Sequence, residues 1–526
     1  MLKDKLSWLK EHKIRCVIIF FSVILLVLIG LIAKYFYDRY SQESKMLAKY
    51  TLLYEGDKNN IKKTEEQKEN FSIGVSGIPS DKELYIHDTE AGRSSIKLIY
   101  QPLIEIGTNM KITYKIADNI EFSDGGNNAT VSLKDIKFSD GKAVTSEDIK
   151  NSYMHLCSPS SEYYGKNKMS VIDGISEYSG GLSKDIKGIE CVDENTVKFS
   201  FKENSALNIM SLTLPIIRTD ENNIYPLGTG PYQISKIIYM SNIDLVTNKY
   251  CDENPYEYKN IYLKTIPLDT LKRDISDFNL DMFYTNSGDI LDIIKDSNYH
   301  NVYKTRNEDY YYLGFNLGSK KSADINLRKA VSHSFDREAL AEEFYGYDDK
   351  TIPLGITSVD KAKKNFTTEI SFDIDDAKDY LDDASSSNLS FICQNDSNSC
   401  EYYEYIKSIL KNADINLDAE KLDEDDYNNR MKELASGTAA GDVYISKLNG
   451  LNPVELIENT IKFDTELKNE YTDMLCEAYQ KAPEDLFENV EEFCYDKALL
   501  IPIVTSYNYI AVSSDCDNDL MMELFY

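Results

Sequence analysis

A chain of 526 residues, 42% of them hydrophobic, is long enough for two or more domains with substantial cores, which excludes an intrinsically disordered protein. The formal net charge of -30 excludes nucleic-acid binding as the main activity, because no basic stripe is present to neutralise phosphates. The acidic excess belongs to the chain after residue 33, where 53 basic residues stand against 86 acidic ones.

The N-terminal segment 16–33 has 18 residues without a charge, enough for a helix of about 27 Å, which matches the hydrocarbon core of a bilayer. Basic residues precede it and the aromatic run 35–37 follows it, a pattern that favours an uncleaved transmembrane helix over a cleavable signal peptide. The positive-inside rule predicts a cytoplasmic tail at residues 1–15 and an extracellular remainder. Residues 34–69 are mostly polar and charged, and we expect them to form an extracellular stalk.

A strand, a turn and a capped helix are predicted in the middle of the first third of the chain. Residues 131–138 place apolar side chains two positions apart, as in a half-buried strand, and Asp140-Gly141 ends this run in a turn. Thr145 occupies a helix N-cap position, and Asp148 lies three residues further on, as in a capping box. The apolar stripe of the helix consists of Ile149, Tyr153 and Leu156.

The stretch F-S-D-G-K-A-V-T-S-E-D-I at residues 138–149 resembles the signature of the family 5 extracellular solute-binding proteins, the oligopeptide and dipeptide binders of ABC importers. Further stretches resemble the same family in the same order. They are the hairpin 191–201, the L-G-T-G-P-Y turn 227–232, the segments 248–256 and 261–267, the strand 310–316, the helix 325–338 and the closing strand 499–512. The family's Leu-Asp-Pro element is missing, and the only tryptophan is Trp8.

The resemblance covers residues 70–526 and implies an α/β, two-lobed periplasmic-binding-protein-like fold of class II, the large peptide-binder type, with an inserted small domain. The N-terminal transmembrane helix is predicted separately, from the uncharged segment 16–33. The implied parts are lobe I (70–95, 181–305 and 501–526), an inserted small domain (96–180) and lobe II (306–500). Two crossings between the lobes would form a hinge, and ligand would close the cleft by rotation of one lobe against the other.

The ligand anchor of the family is altered in this chain. Peptide-binding relatives hold the α-ammonium of the ligand with an Asp in a G-W-x-x-D-Y-like stretch, to which residues 441–453 correspond here. No Trp occurs there, the Asp is replaced by Asn449 or Leu448 depending on the gap, and Lys447 adds a charge that repels an ammonium. Three alternatives follow: a peptide bound in another register, a blocked or modified peptide, or a solute that is not a peptide.

The residues expected to line the cleft lie at the crossing, in the anchor region and in the return strand. They are Tyr310, Tyr311 and Tyr312 at the crossing, Tyr444, Ser446, Lys447 and Asn449 in the anchor region, and Tyr507 and Tyr509 in the return strand. Tyrosine suits this task because it combines apolar area with a polar tip. With 39 tyrosines in the chain, packing within strands is the competing explanation for each of them.

Signals for catalysis, metals and cofactors are absent from the sequence. The chain has no H-E-x-x-H, C-x-x-C or G-x-S-x-G motif, and its five histidines lack ligand spacing, so we expect no catalytic residue, metal or cofactor. Eight cysteines follow the transmembrane segment, and Cys393 with Cys400 would make a local disulfide in an oxidising exterior, or remain thiols in an anaerobe.

Three functional hypotheses remain. The first is an extracellular receptor of an ABC importer that captures oligopeptides or a related small solute and delivers them to membrane permease subunits. The second is a sensor of peptide pheromones or nutrients on the same fold, without transport. The third is a surface hydrolase, which would need a nucleophile and base in the cleft. In each case the protein would sit at a Gram-positive type cell surface, held by its own helix.

Overall fold

The structure is a computed structural model that describes residues 50–526. The gaps are 79–81, 108–109, 221–222, 253, 286–290, 292–298, 338, 341–349, 354, 358–371, 439, 449–451, 518–520, 523 and 525–526. The predicted cytoplasmic tail, the predicted transmembrane helix and the first part of the predicted stalk lie outside the described residues. In the part of the chain that is described, no helix combines the length and the apolar character needed to cross a bilayer. Leu52–Tyr526 forms one compact unit.

The described strands range from two to 16 residues. They are β1 (Thr51–Tyr54), β2 (Asn70–Val75), β3 (Ile104–Ile106), β4 (Ile112–Tyr114), β5 (Ala117–Ser123), β6 (Asn128–Leu133), β7 (Ile189–Asp193), β8 (Thr196–Ser200), β9 (Tyr232–Ile238), β10 (Asn242–Thr247), β11 (Asn260–Thr265), β12 (Met282–Thr285), β13 (His300–Phe315), β14 (Lys350–Thr351), β15 (Asn388–Gln394), β16 (Asn416–Leu422), β17 (Val443–Lys447) and β18 (Leu500–Ser513).

The described α-helices concentrate in the second half of the chain. They are α1 (Glu65–Lys68), α2 (Glu90–Leu98), α3 (Ser146–Leu156), α4 (Ile175–Ser179), α5 (Leu207–Met210), α6 (Leu268–Ser276), α7 (Ile325–Ser334), α8 (Ile374–Asp382), α9 (Ser397–Asn412), α10 (Glu424–Ser436), α11 (Pro453–Ile461), α12 (Thr465–Lys481) and α13 (Leu486–Asp496).

The largest sheet has the strand order β16-β15-β17-β13-β18-β12-β2-β11-β10-β9. Strands from residues 388–447 lie on one side of β13 and β18, and strands from residues 70–285 lie on the other. The core strand β2 runs parallel to both β11 and β12, which explains why Phe71, Ile73 and Val75 are buried. The sheet therefore continues from one lobe into the other through two long strands.

The two long strands, β13 and β18, pair antiparallel from His300 with Ser513 to Gly314 with Leu500. Their register shifts between Arg306 and Tyr310, where the regular pairing with β18 skips residues 307–309 of β13. This bulge coincides with the change from lobe I neighbours to lobe II neighbours and lies next to the predicted boundary at residues 305 and 306. We call the segment of β13 and β18 around this bulge the waist.

The small domain is built on a second sheet with the order β5-β6-β8-β7. Its strands pair antiparallel, and the buried Val131 of β6 lies opposite the buried Val197 of β8. The hairpin β7–β8 was assigned to lobe I by the predicted boundary at residue 180, and the structure instead joins it to this sheet. The reason is the apolar face of β8, formed by Val197 and Phe199, which is buried against β6 and α3.

Local sequence signals are confirmed around this domain. Thr145 accepts a hydrogen bond from the Asp148 backbone N–H, and Asp148 accepts one from the Thr145 N–H, which completes the capping box of α3. The glycines of the L-G-T-G-P-Y turn are structural, as expected. A Cβ on Gly228 would lie 1.9 Å from the Ile99 carbonyl oxygen, so the turn packs against the chain after α2.

The end of the predicted stalk differs from the expectation. Lys63 is buried, and its ammonium lies 2.7 Å from the Asp281 carboxylate and 3.1 Å from that of Asp515. Burial alone would lower the pKa of Lys63, but these carboxylates outweigh it and raise the pKa. Residues 56–69 are thus held against lobe I, because the polar composition that suggested a tether includes a buried cation, whose partners are the buried Asp281 and the exposed Asp515.

Candidate ligand-binding site

The waist carries a pair of opposite charges. Asp309 lies in the bulge of β13, and Lys447 is the last residue of β17. The Lys447 ammonium lies 3.6 Å from the nearest Asp309 carboxylate oxygen, and the two side chains are 38% and 28% exposed. Both charges remain accessible to a ligand while they are close enough to stabilise each other.

An aromatic pair adjoins these charges. Tyr311 is the direct antiparallel partner of Lys447, so both side chains leave the sheet on the same face, and Asp309 precedes Tyr311 by two residues. The ring of Tyr402, from α9, stacks on Tyr311 with centroids 6.3 Å apart and ring planes at 28°. Burial raises the pKa of Tyr402, so its hydroxyl stays protonated and able to donate. We call Asp309, Tyr311, Tyr402 and Lys447 the waist site.

Three of the predicted cleft tyrosines are core residues. Tyr310 is 1% exposed, and its hydroxyl donates to the Ile356 carbonyl at 2.6 Å. Tyr312 and Tyr444 are also buried, with their rings packed edge to face at 6.2 Å. The alternation along β13 explains this correction, since Tyr310 and Tyr312 share the face opposite to that of Tyr311.

The other predicted residues do not form one cluster in the described part of the chain. Ser446 is half-buried opposite Tyr312, and Tyr507 is half-buried with the Lys304 ammonium 4.2 Å from its ring centroid. Tyr509 is only 5% exposed, between Lys304 and Thr285 in the lobe I part of the sheet, so it is a packing residue. Asn449 lies outside the described residues.

The predicted disulfide is not formed in the structure, where Cys393 and Cys400 are free thiols. Cys393 is buried at the end of β15, and burial raises the pKa of its thiol to about 11. Cys400 is in the first turn of α9, because Asp396 caps that helix by accepting from the Ser399 N–H at 2.9 Å. The helix therefore begins at Ser397, between the two cysteines, and the structure corresponds to the second expected alternative, in which both remain thiols.

A second contact joins lobe II to the segment that follows β8. The Glu458 carboxylate of α11 accepts from the Ser205 hydroxyl at 2.6 Å, from the Ala206 N–H at 2.8 Å and from the Tyr471 hydroxyl at 3.1 Å. Tyr479 of α12 donates to the Ser205 carbonyl at 2.7 Å. Burial raises the pKa of Glu458 in spite of these three donors. We call this the Glu458 contact.

Sequence reasoning missed Asp309, Tyr402 and Glu458. The period of two along β13 could have indicated Asp309, because it shares a face with Tyr311. No local pattern marks Tyr402 or Glu458, whose partners lie 91 and 253 residues away along the chain.

Two lobes joined by two crossing strands, with an accessible polar and aromatic site at the crossing, define a solute-binding protein of the periplasmic-binding-protein-like class. Residues 111–453 match the family described as bacterial extracellular solute-binding proteins, family 5, middle part. This match spans more than half of the chain, and the chain belongs to that family.

Similar proteins agree with this assignment. The chain is 24% identical over 306 residues to the oligopeptide-binding protein AppA of Bacillus subtilis, covering 52% of this chain and 50% of AppA. It is 29% identical over 158 residues to the oligopeptide-binding protein OppA of Lactococcus lactis, covering 25% and 26%. The chain thus spans about half or less of the length of these relatives.

The solved structure of MppA, a periplasmic murein tripeptide binding protein in its unliganded open form, shares the fold. Its TM-score is 0.66 at 17% identity, with 86% of this chain and 93% of MppA covered. At this level of identity the likeness concerns the fold only, and the ligand must be argued from the residues of this chain.

Proposed function

We propose that this protein is the extracellular receptor of an ABC importer, which captures peptides or closely related solutes between its lobes and delivers them to a membrane permease. The observation that carries the proposal is the waist site. It combines a stacked tyrosine pair with two accessible opposite charges, and these four residues come from the crossing strand β13, from β17 and from α9. The oligopeptide-binding relatives make peptides the first ligand class to test.

The proposal includes the membrane anchor. The uncharged segment 16–33, preceded by basic residues, would hold the protein at the cell surface with its binding lobes outside. Protease treatment of intact cells tests this arrangement. We expect the lobes to be digested while an epitope tag placed before residue 1 stays protected, and the opposite protection pattern would contradict the topology.

A sensor without transport is the second candidate, and Lys447 favours it. Its charge lies in the region where transporting relatives are expected to hold the ligand ammonium, which favours a ligand preference different from theirs. A surface hydrolase is less well supported, because the waist site, as far as the structure describes it, contains no side chain paired as nucleophile and base.

Thermal unfolding of the purified full chain with defined peptide pools tests the function. A ligand at 100 times its Kd stabilises the native state by about 2.7 kcal/mol, which raises the Tm by several degrees. We expect Tyr311→Ala to abolish the shift and Tyr239→Ala, an exposed tyrosine at a hairpin tip, to retain it. No shift with any pool would contradict peptide capture.

Uptake separates importer from sensor. Host cells that lack this protein should lose uptake of the ligand identified above if the protein serves an importer. Unchanged uptake together with a lost transcriptional response to the ligand would instead establish the sensor.

A further inference from the structure

We propose that the waist site recognises a compact zwitterion, in which an ammonium and a carboxylate are attached to the same carbon atom, at one end of a peptide-like ligand. This inference rests on the proposed function, because it assumes a ligand between the lobes. The inference names the chemical group by which the site would distinguish its ligand from ordinary peptides.

The spacing of the two protein charges carries the argument. The ammonium of Lys447 and the carboxylate of Asp309 are 3.6 Å apart. In a group with both charges on one carbon, the nitrogen and the nearer carboxylate oxygen are about 3 Å apart, as bond lengths and tetrahedral angles require. Such a group can place its ammonium against Asp309 and its carboxylate against Lys447, so that each of the four charges has an opposite neighbour.

An ordinary peptide N-terminus fits this pair less well. Its ammonium can approach Asp309, but the neighbouring group on the same carbon is an uncharged amide carbonyl. Lys447 would then have a neutral acceptor in place of a carboxylate, or it would repel the ammonium directly. Binding would remove water from the Lys447 ammonium without giving it a strong partner, and this lowers the affinity. The pair therefore discriminates against the ligand end that the oligopeptide binders of the family accept.

The surroundings support recognition of one ligand end. Lys447 ends β17, and the backbone N–H of the next residue, Leu448, already donates to the Tyr310 carbonyl at 3.1 Å. The Lys447 backbone is held by regular pairing opposite Tyr311, whose ring stacks on that of Tyr402. Because these elements are fixed, the two charges are presented in a defined geometry next to an apolar wall that can receive the ligand backbone.

Two isomeric tripeptides test the inference by calorimetric titration of the full chain. In γ-glutamyl-alanyl-glycine the ammonium and a carboxylate share one carbon, whereas in α-glutamyl-alanyl-glycine the carboxylate is on the side chain. Composition and net charge are equal. We expect the γ isomer to bind about tenfold more tightly, the difference between a charge-assisted and a neutral hydrogen bond. Equal affinities, or tighter binding of the α isomer, would overturn the inference.

Substitutions of Asp309 and Lys447 test whether this ion pair causes the preference for the γ isomer. Asp309→Asn and Lys447→Gln should each reduce the preference for the γ isomer below about twofold, whereas Lys447→Arg should keep it, since the charge is retained. Lys481→Gln, an exposed lysine of α12, is the matched control and should change nothing. A preference that survives both Asp309→Asn and Lys447→Gln would contradict the assignment.

Failure of this inference is distinguishable from failure of the proposed function. If trialanine and the α isomer bind as well as the γ isomer, the zwitterion inference is wrong and peptide capture stands. If no peptide of either kind binds, both are wrong.

Discussion

At the scale of single residues, the face of the strand on which each tyrosine near the waist lies determines what its side chain does. Tyr310 donates to a backbone carbonyl in the core, while Tyr311 keeps part of its surface exposed beside Lys447. One position along the strand therefore separates a residue that stabilises lobe II from one that is available to a ligand.

Tyr310→Phe should lower the stability of the protein without affecting ligand binding. Loss of the hydrogen bond to the Ile356 carbonyl leaves a buried acceptor unpaired, which costs about 1–3 kcal/mol. Urea unfolding measures this loss, and titration with ligand should give a Kd within twofold of the original. A large loss of affinity at unchanged stability would show that Tyr310 contacts the ligand after all.

Lys63→Met should be far more damaging than a surface lysine change. It leaves the Asp281 carboxylate buried without its cation, and breaking such a pair typically costs about 3–5 kcal/mol. Lys68→Met, at an exposed ion pair in α1, is the control and should stay within about 0.5 kcal/mol. Equal stability of the two variants in urea would show that residues 56–69 are a loose tether.

The pH dependence of this contribution follows from the raised pKa of Lys63. A cation favoured by the folded state contributes its full stability below the ordinary lysine value of 10.5 and loses it as the pH rises through the raised pKa. The stability difference between the original protein and Lys63→Met should therefore be present at neutral pH and shrink as the pH rises above 10.5. A difference that already shrinks below pH 9 would contradict the buried pair.

At the scale of elements, helices α11 and α12 fasten lobe II to the segment after β8. Three donors converge on Glu458, and Tyr479 closes the same contact from the next helix. These partners come from parts of the chain more than 250 residues apart, so the contact couples the small-domain side of the molecule to lobe II.

The Glu458 contact should make stability depend on pH. Burial raises the pKa of Glu458, so the folded state holds a proton more tightly than the unfolded state does. The contribution of Glu458 is fully present below the ordinary value of 4.5 and is lost as the pH rises through the raised value. The Tm of the original protein relative to Glu458→Gln should fall across this window, while Glu477→Gln, an exposed control, should leave the profile unchanged. A flat difference would contradict the assigned burial.

The elements show which features local sequence determines. The capping box at Thr145 and the hairpin β7–β8 were predicted because their signals lie within a few residues of each other. The placement of that hairpin in the small domain, the burial of Lys63 and the position of Tyr402 depend on partners far away in the chain. Such contacts arise from packing of whole elements, and no local period or spacing encodes them.

The residues of the candidate site also fall into two groups, those that the sequence predicted and those that only the fold shows. Tyr311 and Lys447 were predicted from their positions in segments that resemble the family, whereas Asp309, the carboxylate that pairs with Lys447, was not. Once the buried face of β13 is known, the alternation of side chains along this strand shows that Tyr310 and Tyr312 are core residues. The sequence indicated the strand, and only the fold identifies its accessible face.

At the scale of the whole molecule, the two lobes share one sheet, which β13 and β18 carry through the waist. A bulge between Arg306 and Tyr310 interrupts the pairing there, which is where a rotation between the lobes disturbs the fewest hydrogen bonds. A ligand at the waist site would contact β13 directly beside this bulge, so binding and closure are expected to be coupled.

Closure is testable by small-angle scattering of the full chain. A saturating ligand should reduce the radius of gyration, and Tyr311→Ala at the same ligand concentration should retain the larger value. Binding measured by titration without any change in the radius would show that ligand is captured in a cleft that is already closed.

The central claim is that this protein captures a peptide-like solute between its lobes, and native mass spectrometry of the full chain, purified gently from its host, tests it most directly. We predict a bound species that is released on denaturation and identified as a peptide or peptide-like compound, with Tyr311→Ala recovered empty. A protein that emerges without bound solute and gains no thermal stability from peptide pools would contradict the claim.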